Sequence, residues 1–326
     1  MRGDIVASYD VFNGDADGIC ALVQLRRATP RQAKLVTGVK RDINLLACVD
    51  TWPGDTLTVL DISMRTNYAD VLRILKTGAT IHYIDHHVVS DLPTNNNLRT
   101  NIVTTPEKCT AILVNETLGG AYLEWACMAA FGDNLVDVAY ELIKPLGLKG
   151  SQVERLKEFG QLVNYNAYGH TISDLHYAPD DLFRRFVRYD TPNEFLADNM
   201  DVFETLKTGY HDDMAKAKAC EEVEPYIYIL EDAPWARRIY GGFINELAVE
   251  TPGKPHAVIT HNAQGGYMVS VRAPRIDPDP QAYNLCVTFP TGGGRHPAAG
   301  INHLHPARFD TFAYAFENIF KEFLKA

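Results

Sequence analysis

Long hydrophobic runs are missing from this chain. No apolar stretch reaches the roughly 18 residues that a membrane-spanning helix needs, and the first residues, Met1-Arg2-Gly3-Asp4, lack the apolar core of a signal peptide. Only six cysteines occur among 326 residues, and no two are closely spaced, which argues against a disulfide framework and indicates reduced, mostly buried thiols. We therefore expect a cytoplasmic globular protein that does not associate with membranes.

Positive charge is also scarce, since 31 lysines and arginines face 41 aspartates and glutamates and leave a net charge of −10. Proteins that grip long nucleic acid carry a basic stripe that displaces counterions. The densest basic clusters here are three arginine pairs, which we expect on the solvated surface: Arg26-Arg27, Arg184-Arg185 and Arg237-Arg238. Binding of long nucleic acid is therefore not expected, and a small phosphorylated substrate fits the charge better.

The composition changes near residue 224, and ten of the 17 prolines lie from Pro225 onward. Before that point, strands alternate with helices up to about residue 90, which predicts a parallel sheet with crossover helices. A helix-rich stretch follows. We therefore predict an α/β fold with three parts: a parallel-sheet domain with a helical extension at 1–192, a helical linker at 193–223, and a smaller α/β domain at 224–326.

Acids and histidines follow three predicted strands. The first strand runs into Asn13–Gly18 (NGDADG), the second, Thr56–Leu60, ends at Asp61, and the third delivers Asp85–His87. In open α/β sheets, ligand sites form outside the carboxyl ends of the strands. One such run alone is equally typical of a solvated loop, but three together favour a metal site. Carboxylates mixed with imidazole suit manganese, with magnesium, iron or cobalt as alternatives, better than a structural zinc ion.

At this point the sequence resembles the DHH phosphoesterase superfamily. The resemblance rests on four motifs in order, which are NGDADG at 13–18, Asp61, Asp85–His87 and AAFGDN at 129–134. A fifth block, GGGRHPAAG at 292–300, resembles the glycine-rich signature of the superfamily's C-terminal substrate domain. The blocks extend over nearly the whole chain. The resemblance implies a catalytic domain at 1–192 and a substrate-binding domain at 224–326, as in the nanoRNase branch.

The resemblance also implies two divalent ions, expected to be manganese, with magnesium or cobalt as alternatives. Asp15 would bind one ion and Asp17 the other, while Asp61 would bridge them. His86 and Asp133 would complete the shell of the second ion. Such a pair of ions can clamp the phosphate of an in-line displacement and activate water.

Asp85 and His87 form the catalytic pair that the resemblance implies. Asp85 is expected to orient its neighbours without binding metal itself. His87, which carries no metal, is then free to contact the scissile phosphate or to protonate the leaving oxygen.

Two further positions have alternative interpretations. Many relatives place a histidine or aspartate where this chain has Asn13, so Asn13 is either a weak metal ligand or a cap of the turn. Thr110 either contacts a phosphate or starts a helix, and helix-capping preferences favour the second role.

Substrate recognition is expected from the smaller domain. Arg272 would fork onto a phosphate or a base, a task that suits a guanidinium group. Gly293 and Gly294 would let backbone amides approach a phosphate closely. Relatives have a histidine at the position of Arg295, so either Arg295 has taken over its role or His296 keeps it in a shortened loop.

The leading functional hypothesis is a phosphodiesterase that hydrolyses short RNA, particularly linear dinucleotides such as pGpG, to mononucleotides. The first alternative is a single-strand exonuclease of the RecJ type, which the acidic charge disfavours. A pyrophosphatase or polyphosphatase fits less well, because those relatives carry a different C-terminal domain. A non-catalytic nucleotide-binding regulator is the remaining alternative, and the retained acids and histidines argue against it. The sequence is compatible with a homodimer but does not determine the oligomeric state.

Overall fold

The computed structural model of the chain describes residues 6–89, 91–275 and 281–324. The chain divides into two units, Met1–Lys207 and Thr208–Ala326, and the helix α9 (Met200–Lys218) spans the division. Within the described ranges, none of the helices combines the length and the apolar composition needed to cross a membrane. The six cysteines are free thiols and four of them are buried, as the sequence predicts.

A five-stranded parallel sheet forms the centre of the first unit. Its strands are β1 (Ser8–Phe12), β2 (Lys34–Val36), β3 (Thr56–Leu60), β4 (Thr80–Asp85) and β5 (Leu98–Ile102). They are arranged in the order β2-β1-β3-β4-β5, and each neighbouring pair is parallel. The strand order reverses between β1 and β3, which is the position where open α/β sheets form their ligand crevice.

Helices cover this sheet and form the extension that follows it. They are α1 (Ala16–Ala28), α2 (Met64–Lys76), α3 (Thr110–Thr117), α4 (Leu123–Gly132), α5 (Val136–Ile143), α6 (Gly150–Asn166), α7 (Pro179–Phe186) and α8 (Pro192–Asp198). Helix α4 is buried along almost its whole length and packs against α1, α3, α5 and α6. Its continuous apolar sequence is typical of a helix that is surrounded by protein on all sides.

The second unit is built on a six-stranded mixed sheet. Its strands are β6 (Glu222–Glu224), β7 (Ile227–Ile229), β8 (His256–His261), β9 (Tyr267–Arg272), β10 (Gly292–Gly294) and β11 (Ala298–Leu304). Their order is β10-β11-β9-β8-β7-β6, and the pair β7–β8 is parallel while the other pairs are antiparallel. The accompanying helices are α10 (Pro234–Glu250), α11 (Ala282–Cys286) and α12 (Phe309–Leu324).

The predicted α/β fold class is confirmed, with one parallel sheet and one smaller mixed sheet. Three aromatic residues spaced four apart on helix α12, Phe312, Phe316 and Phe320, lie in the core of the second unit.

The expectation that the arginine pairs lie on the surface is wrong for Arg26. Asp10 on β1 is buried, and its carboxylate accepts hydrogen bonds from Arg26 Nε at 2.7 Å and Nη2 at 2.5 Å. Arg31 Nη2 donates to the same carboxylate at 3.0 Å. Burying a carboxylate in a sheet costs free energy unless a cation pairs with it. Arg26, on the helix that follows β1, is that cation.

This ion pair gives a prediction about stability. Asp10→Ala leaves Arg26 with no carboxylate partner in a buried setting, so we expect the free energy of unfolding to fall by about 3–5 kcal/mol. Urea denaturation followed by circular dichroism measures this change. The matched control is Glu141→Ala, which breaks an exposed pair with Lys144 and should cost less than about 1 kcal/mol. Equal losses in the two variants would contradict the prediction.

Candidate active site

The tips of three neighbouring strands bring the predicted site residues together. The backbone N–H of Asn13 donates to Leu60 O at 3.2 Å, and that of Asp61 donates to Ile84 O at 3.1 Å. The sheet hydrogen bonding therefore continues one residue beyond β1 and β3, and it places Asn13, Asp61 and Asp85 along one edge. Asp61 has a left-handed backbone with φ of 56°, a conformation that aspartate and asparagine tolerate better than most residues.

Two helix N-termini hold the first pair of acids. Asp15 caps α1, and its Oδ1 accepts from the backbone N–H groups of Asp17 at 3.0 Å and Gly18 at 3.1 Å. The two carboxylate oxygens of Asp17 accept from the N–H groups of Thr110 at 2.8 Å and Ala111 at 2.7 Å, where α3 begins. Helix N-termini carry partial positive charge, so both buried anions are stabilised by backbone.

Close helix packing positions Asp133 at the end of α4. A Cβ atom on the preceding residue, Gly132, would lie 2.7 Å from both Ala16 Cβ and Gly160 O. Glycine therefore allows α4 to approach α1 and α6 more closely than any other residue would. The result is that Asp133 Oδ2 lies 3.9 Å from His86 Nε2.

His86 lies at the centre of a four-atom donor set. Its Nε2 is 3.4 Å from Asp61 Oδ1, 3.9 Å from Asp17 Oδ2 and 3.9 Å from Asp133 Oδ2. Ligand atoms at about 2.1 Å from one octahedral ion lie about 3.0 Å apart when adjacent and about 4.2 Å apart when opposite. His86 forms one group of candidate metal ligands with Asp17 and Asp133 and a second group with Asp61 and His87, and the ligand atoms within each group lie within 4.8 Å of one another. Each group fits part of the coordination shell of a divalent ion, and this mixture of oxygen and imidazole suits manganese or magnesium.

The carboxylates of this site repel one another. Burial, together with the charges of Asp17 and Asp15, raises the pKa of Asp61 well above its usual range. The same causes raise the pKa of Asp133 to about 6. Asp85 is also buried, and among the residues that the structure describes its Oδ2 has no hydrogen-bond partner. A divalent cation would relieve this repulsion, so the charge and the donor set both fit a metal ion.

His87 is held by Asp85. Its Nδ1 lies 2.7 Å from Asp85 Oδ1, and this hydrogen bond, partly offset by burial, raises the pKa of His87 above its usual value. The ring of His87 is about half exposed, whereas Asp85 is fully buried. One nitrogen of His87 could instead join His86 and Asp61 as a metal ligand, but Nδ1 is already bonded to Asp85.

Sequence reasoning missed Lys40. Its Nζ donates to Asp15 Oδ2 at 2.6 Å and to Asn164 Oδ1 at 2.9 Å, and it lies 3.8 Å from Asp133 Oδ1. Burial raises the pKa of Asp15, but the Lys40 charge and hydrogen bond outweigh it and lower the pKa overall. The available signal was the position of Lys40, four residues beyond the end of β2, where other strands of the sheet deliver site residues.

The structure shows which contacts Asn13 and Thr110 make. Asn13 Oδ1 accepts from the backbone N–H of Asp15 at 3.1 Å, and its Nδ2 donates to Lys40 O at 3.2 Å, as expected of a turn residue. Thr110 begins α3, but the helix cap is Cys109. Thr110 therefore starts the helix, as favoured, and its hydroxyl also donates to Asp61 Oδ1 at 3.2 Å.

The glycine-rich block of the second unit forms a tight hairpin between β10 and β11. The backbone N–H of Arg295 donates to Ala298 O at 2.9 Å, and that of Ala298 donates to Arg295 O at 3.2 Å. Gly294 has φ of 139°, and a Cβ there would lie 2.5 Å from Ala299 Cα, so the turn requires glycine. Arg295 and His296 are both exposed at the turn.

Arg272 lies next to this hairpin. It ends β9 and pairs in register with Ala298 on β11, and its Nε donates to Asn245 Oδ1 at 3.0 Å. The ring of His296 stacks on Tyr283 with centroids 5.9 Å apart. The predicted site residues thus form two groups, one at the tip of the parallel sheet and one around the hairpin of the second unit.

No protein-family model and no curated protein sequence matches the chain. Solved structures do match, including the exonuclease RecJ bound to manganese at 16% identity and a TM-score of 0.58, with 96% of this chain and 89% of RecJ covered. PggH from Vibrio cholerae, a pGpG-specific phosphodiesterase, matches at 14% identity and a TM-score of 0.54, with 96% and 98% covered. The chain has the DHH phosphoesterase fold.

An exopolyphosphatase-related protein from Bacteroides fragilis shares the fold at 12% identity and a TM-score of 0.50, with 98% of this chain and 92% of that protein covered. At these identities the likeness establishes the architecture.

The crowded carboxylates predict that the metal-free protein becomes more stable when one of them is neutralised. Asp61→Asn removes a charge, retains an acceptor for Thr110 and tolerates the left-handed backbone, which alanine would not. We expect the melting temperature of the metal-free variant at pH 7 to rise by at least about 2 °C, or roughly 1 kcal/mol. Calorimetry with and without Mn²⁺ measures this, and added Mn²⁺ should stabilise the wild type more than the variant.

The pH dependence has a defined sign. Because the pKa of Asp133 is raised from 3.8 to about 6 on folding, the folded metal-free protein binds protons more tightly than the unfolded chain. Its stability should therefore fall as pH rises from about 4 to about 6, and the raised pKa of Asp61 extends the fall to higher pH.

Asp50→Asn, at an exposed position, is the control for the Asp61→Asn variant. A lower melting temperature for Asp61→Asn than for this control would contradict the prediction.

Proposed function

We propose that this chain is a metal-dependent phosphodiesterase that hydrolyses short oligoribonucleotides, particularly linear dinucleotides such as pGpG, to mononucleotides. The observation that carries the proposal is the donor set around His86, in which three carboxylate oxygens lie within 3.9 Å of one imidazole nitrogen. This set lies at the strand tips of a fold shared with RecJ and PggH.

Four residues of the first unit are assigned to metal binding, with manganese as the expected ion and magnesium or cobalt as alternatives: Asp17, Asp61, His86 and Asp133. When bound, such an ion polarises a phosphate oxygen and lowers the pKa of a coordinated water. Thr110 holds the Asp61 carboxylate in place through its hydroxyl, and the N-terminus of α3 does the same for Asp17.

His87 is assigned the role of general acid. Its Nδ1 is bonded to Asp85, so Nε2 is the ring nitrogen that can face a substrate. Asp85 stabilises the imidazolium form, which raises the pKa of His87 and keeps it protonated to a higher pH than an isolated histidine. A protonated His87 can then transfer its Nε2 proton to the leaving oxygen when the phosphodiester bond breaks.

Two considerations favour very short substrates. With a net charge of −10, counterion release contributes little to binding of long strands. PggH, a pGpG-specific phosphodiesterase, and this chain also match each other almost end to end. A RecJ-type single-strand exonuclease is the second candidate, and the TM-score of 0.58 to RecJ favours it.

A length series separates the two candidates. The purified protein with Mn²⁺ is given 5′-phosphorylated RNAs of two to about ten nucleotides, and single-stranded DNA of comparable and greater length. We expect kcat/KM to be highest for the dinucleotide and to fall at least about tenfold, or roughly 1.4 kcal/mol, by five nucleotides. Processive degradation of long single strands would instead establish the exonuclease activity.

Active-site variants test whether the observed hydrolysis belongs to this site. Asp61→Asn and Asp133→Asn should each reduce kcat at least about 100-fold, because several kcal/mol of metal stabilisation would be lost. Asp50→Asn should retain full activity. Hydrolysis that survives in both site variants would point to a contaminating nuclease or to a wrong site.

The hairpin of the second unit is proposed to bind the terminal phosphate of the substrate. A guanidinium group stays charged at any working pH and can bind a phosphate through two parallel hydrogen bonds, so Arg295 is expected to be the stronger anchor. Gly293, Gly294, His296 and Arg272 would complete this site with backbone and side-chain donors.

Arg295→Ala should therefore raise KM for a 5′-phosphorylated dinucleotide at least about tenfold, or roughly 1.4 kcal/mol. The KM for bis-p-nitrophenyl phosphate, which lacks a terminal phosphate, should change little. His296→Ala is measured in parallel, and Arg308→Ala, at an exposed position of the same unit, is the control. If His296→Ala alone raises KM, the histidine role of the relatives is retained in a shortened loop.

A further inference from the structure

Both oxygens of the Asp15 carboxylate already accept hydrogen bonds within the protein. Its Oδ1 accepts two backbone hydrogen bonds at the start of α1, from Asp17 at 3.0 Å and Gly18 at 3.1 Å. Its Oδ2 accepts from Lys40 Nζ at 2.6 Å. The family resemblance assigns a first metal ion to Asp15, but in this chain an ammonium group lies against the oxygen that would bind it.

Lys40 is fixed in this position by more than one partner. Its Nζ also donates to Asn164 Oδ1 at 2.9 Å and lies 3.8 Å from Asp133 Oδ1. The ring of Tyr168 lies 5.7 Å from Nζ, within the range of a cation–π contact. The ammonium therefore lies between Asp15 and Asp133, where it supplies a positive charge to both carboxylates.

Asn13 supplies an uncharged oxygen where a charged ligand would bind a metal ion beside Asp15 more tightly, so the Lys40 ammonium meets weaker competition there. The residue brings no negative charge, and its Oδ1 already accepts the backbone N–H of Asp15. Its Nδ2 group donates to the carbonyl of Lys40, which links the two segments. These hydrogen bonds hold the Lys40 segment beside Asp15, whereas His86 Nε2 lies within 3.9 Å of one oxygen from each of Asp17, Asp61 and Asp133.

We propose that the ammonium of Lys40 takes the place of one of the two metal ions, so that each chain binds one divalent ion, at His86, Asp17, Asp61 and Asp133. The inference deepens the proposed function because it concerns the same site. A lysine ammonium is a permanent single positive charge with three donors. It can bind a substrate phosphate from the side of Asp15 without being recruited from solution.

Metal stoichiometry tests this proposal directly. The full-length protein is dialysed to equilibrium against Mn²⁺, and bound manganese is measured by elemental analysis and by electron paramagnetic resonance. The wild type should bind one Mn²⁺ per chain and give the spectrum of an isolated ion. Lys40→Met, which removes the charge and keeps the apolar stem, should bind two and give the spectrum of a spin-coupled pair.

Two variants serve as controls. Lys40→Arg retains a cation and should remain at one ion per chain. Lys144→Met removes an exposed lysine that pairs with a single carboxylate, Glu141, and should also remain at one. Circular dichroism in the presence of Mn²⁺ establishes that each variant is folded.

Two spin-coupled ions per wild-type chain, or none, would overturn the proposal, and this result does not depend on the folding of any variant. A folded Lys40→Met protein that still binds one ion would show that Lys40 does not exclude the second. The proposed function has a separate outcome. If the chain cleaves dinucleotides but binds two ions, the proposed function stands and the single-ion proposal fails. If it binds one ion but hydrolyses no phosphodiester, the single-ion proposal stands and the proposed function fails.

Discussion

Repulsion among buried carboxylates is the constraint on which the first unit depends. Five acids lie at the tip of one sheet: Asp15, Asp17, Asp61, Asp85 and Asp133. Ionised carboxylates without partners are costly to bury. The N-termini of α1 and α3, the ammonium of Lys40 and the imidazole of His86 lie against these carboxylates and offset part of that cost. The remaining negative charge, expressed in the raised pKa values of Asp61 and Asp133, favours a divalent cation.

The strands and the acids at their tips could be predicted from the sequence because the relevant signals are local. A short apolar run followed by acid, glycine or histidine indicates a strand that ends at a ligand edge. Partners that neutralise those acids are not local. The donors to Asp17 come from Thr110 and Ala111, more than 90 residues further along the chain, and Lys40 follows a strand of three residues that has too little sequence to show a period.

The same limit explains the misassigned charges. Arg26 and Arg27 are adjacent, a pattern typical of solvated helix surfaces, but Arg26 is buried because it pairs with Asp10 on β1. The sequence of β1 does not show that Asp10 is buried, because its burial depends on which face of the sheet the following helix covers. For the hairpin after β10 the sequence leaves Arg295 and His296 as alternatives, and the backbone exposes both.

A site whose carboxylates repel one another until a cation binds has consequences for how its residues can vary. Neutralising an acid of the cluster relieves repulsion in the metal-free protein and removes a metal ligand at the same time, so stability and function change in opposite directions. Lys40 differs because it relieves repulsion without leaving the site. A lysine at this position lets Asp15 stay ionised whether or not metal is present, and it leaves the donors around His86 as the part of the cluster whose charge still requires an ion.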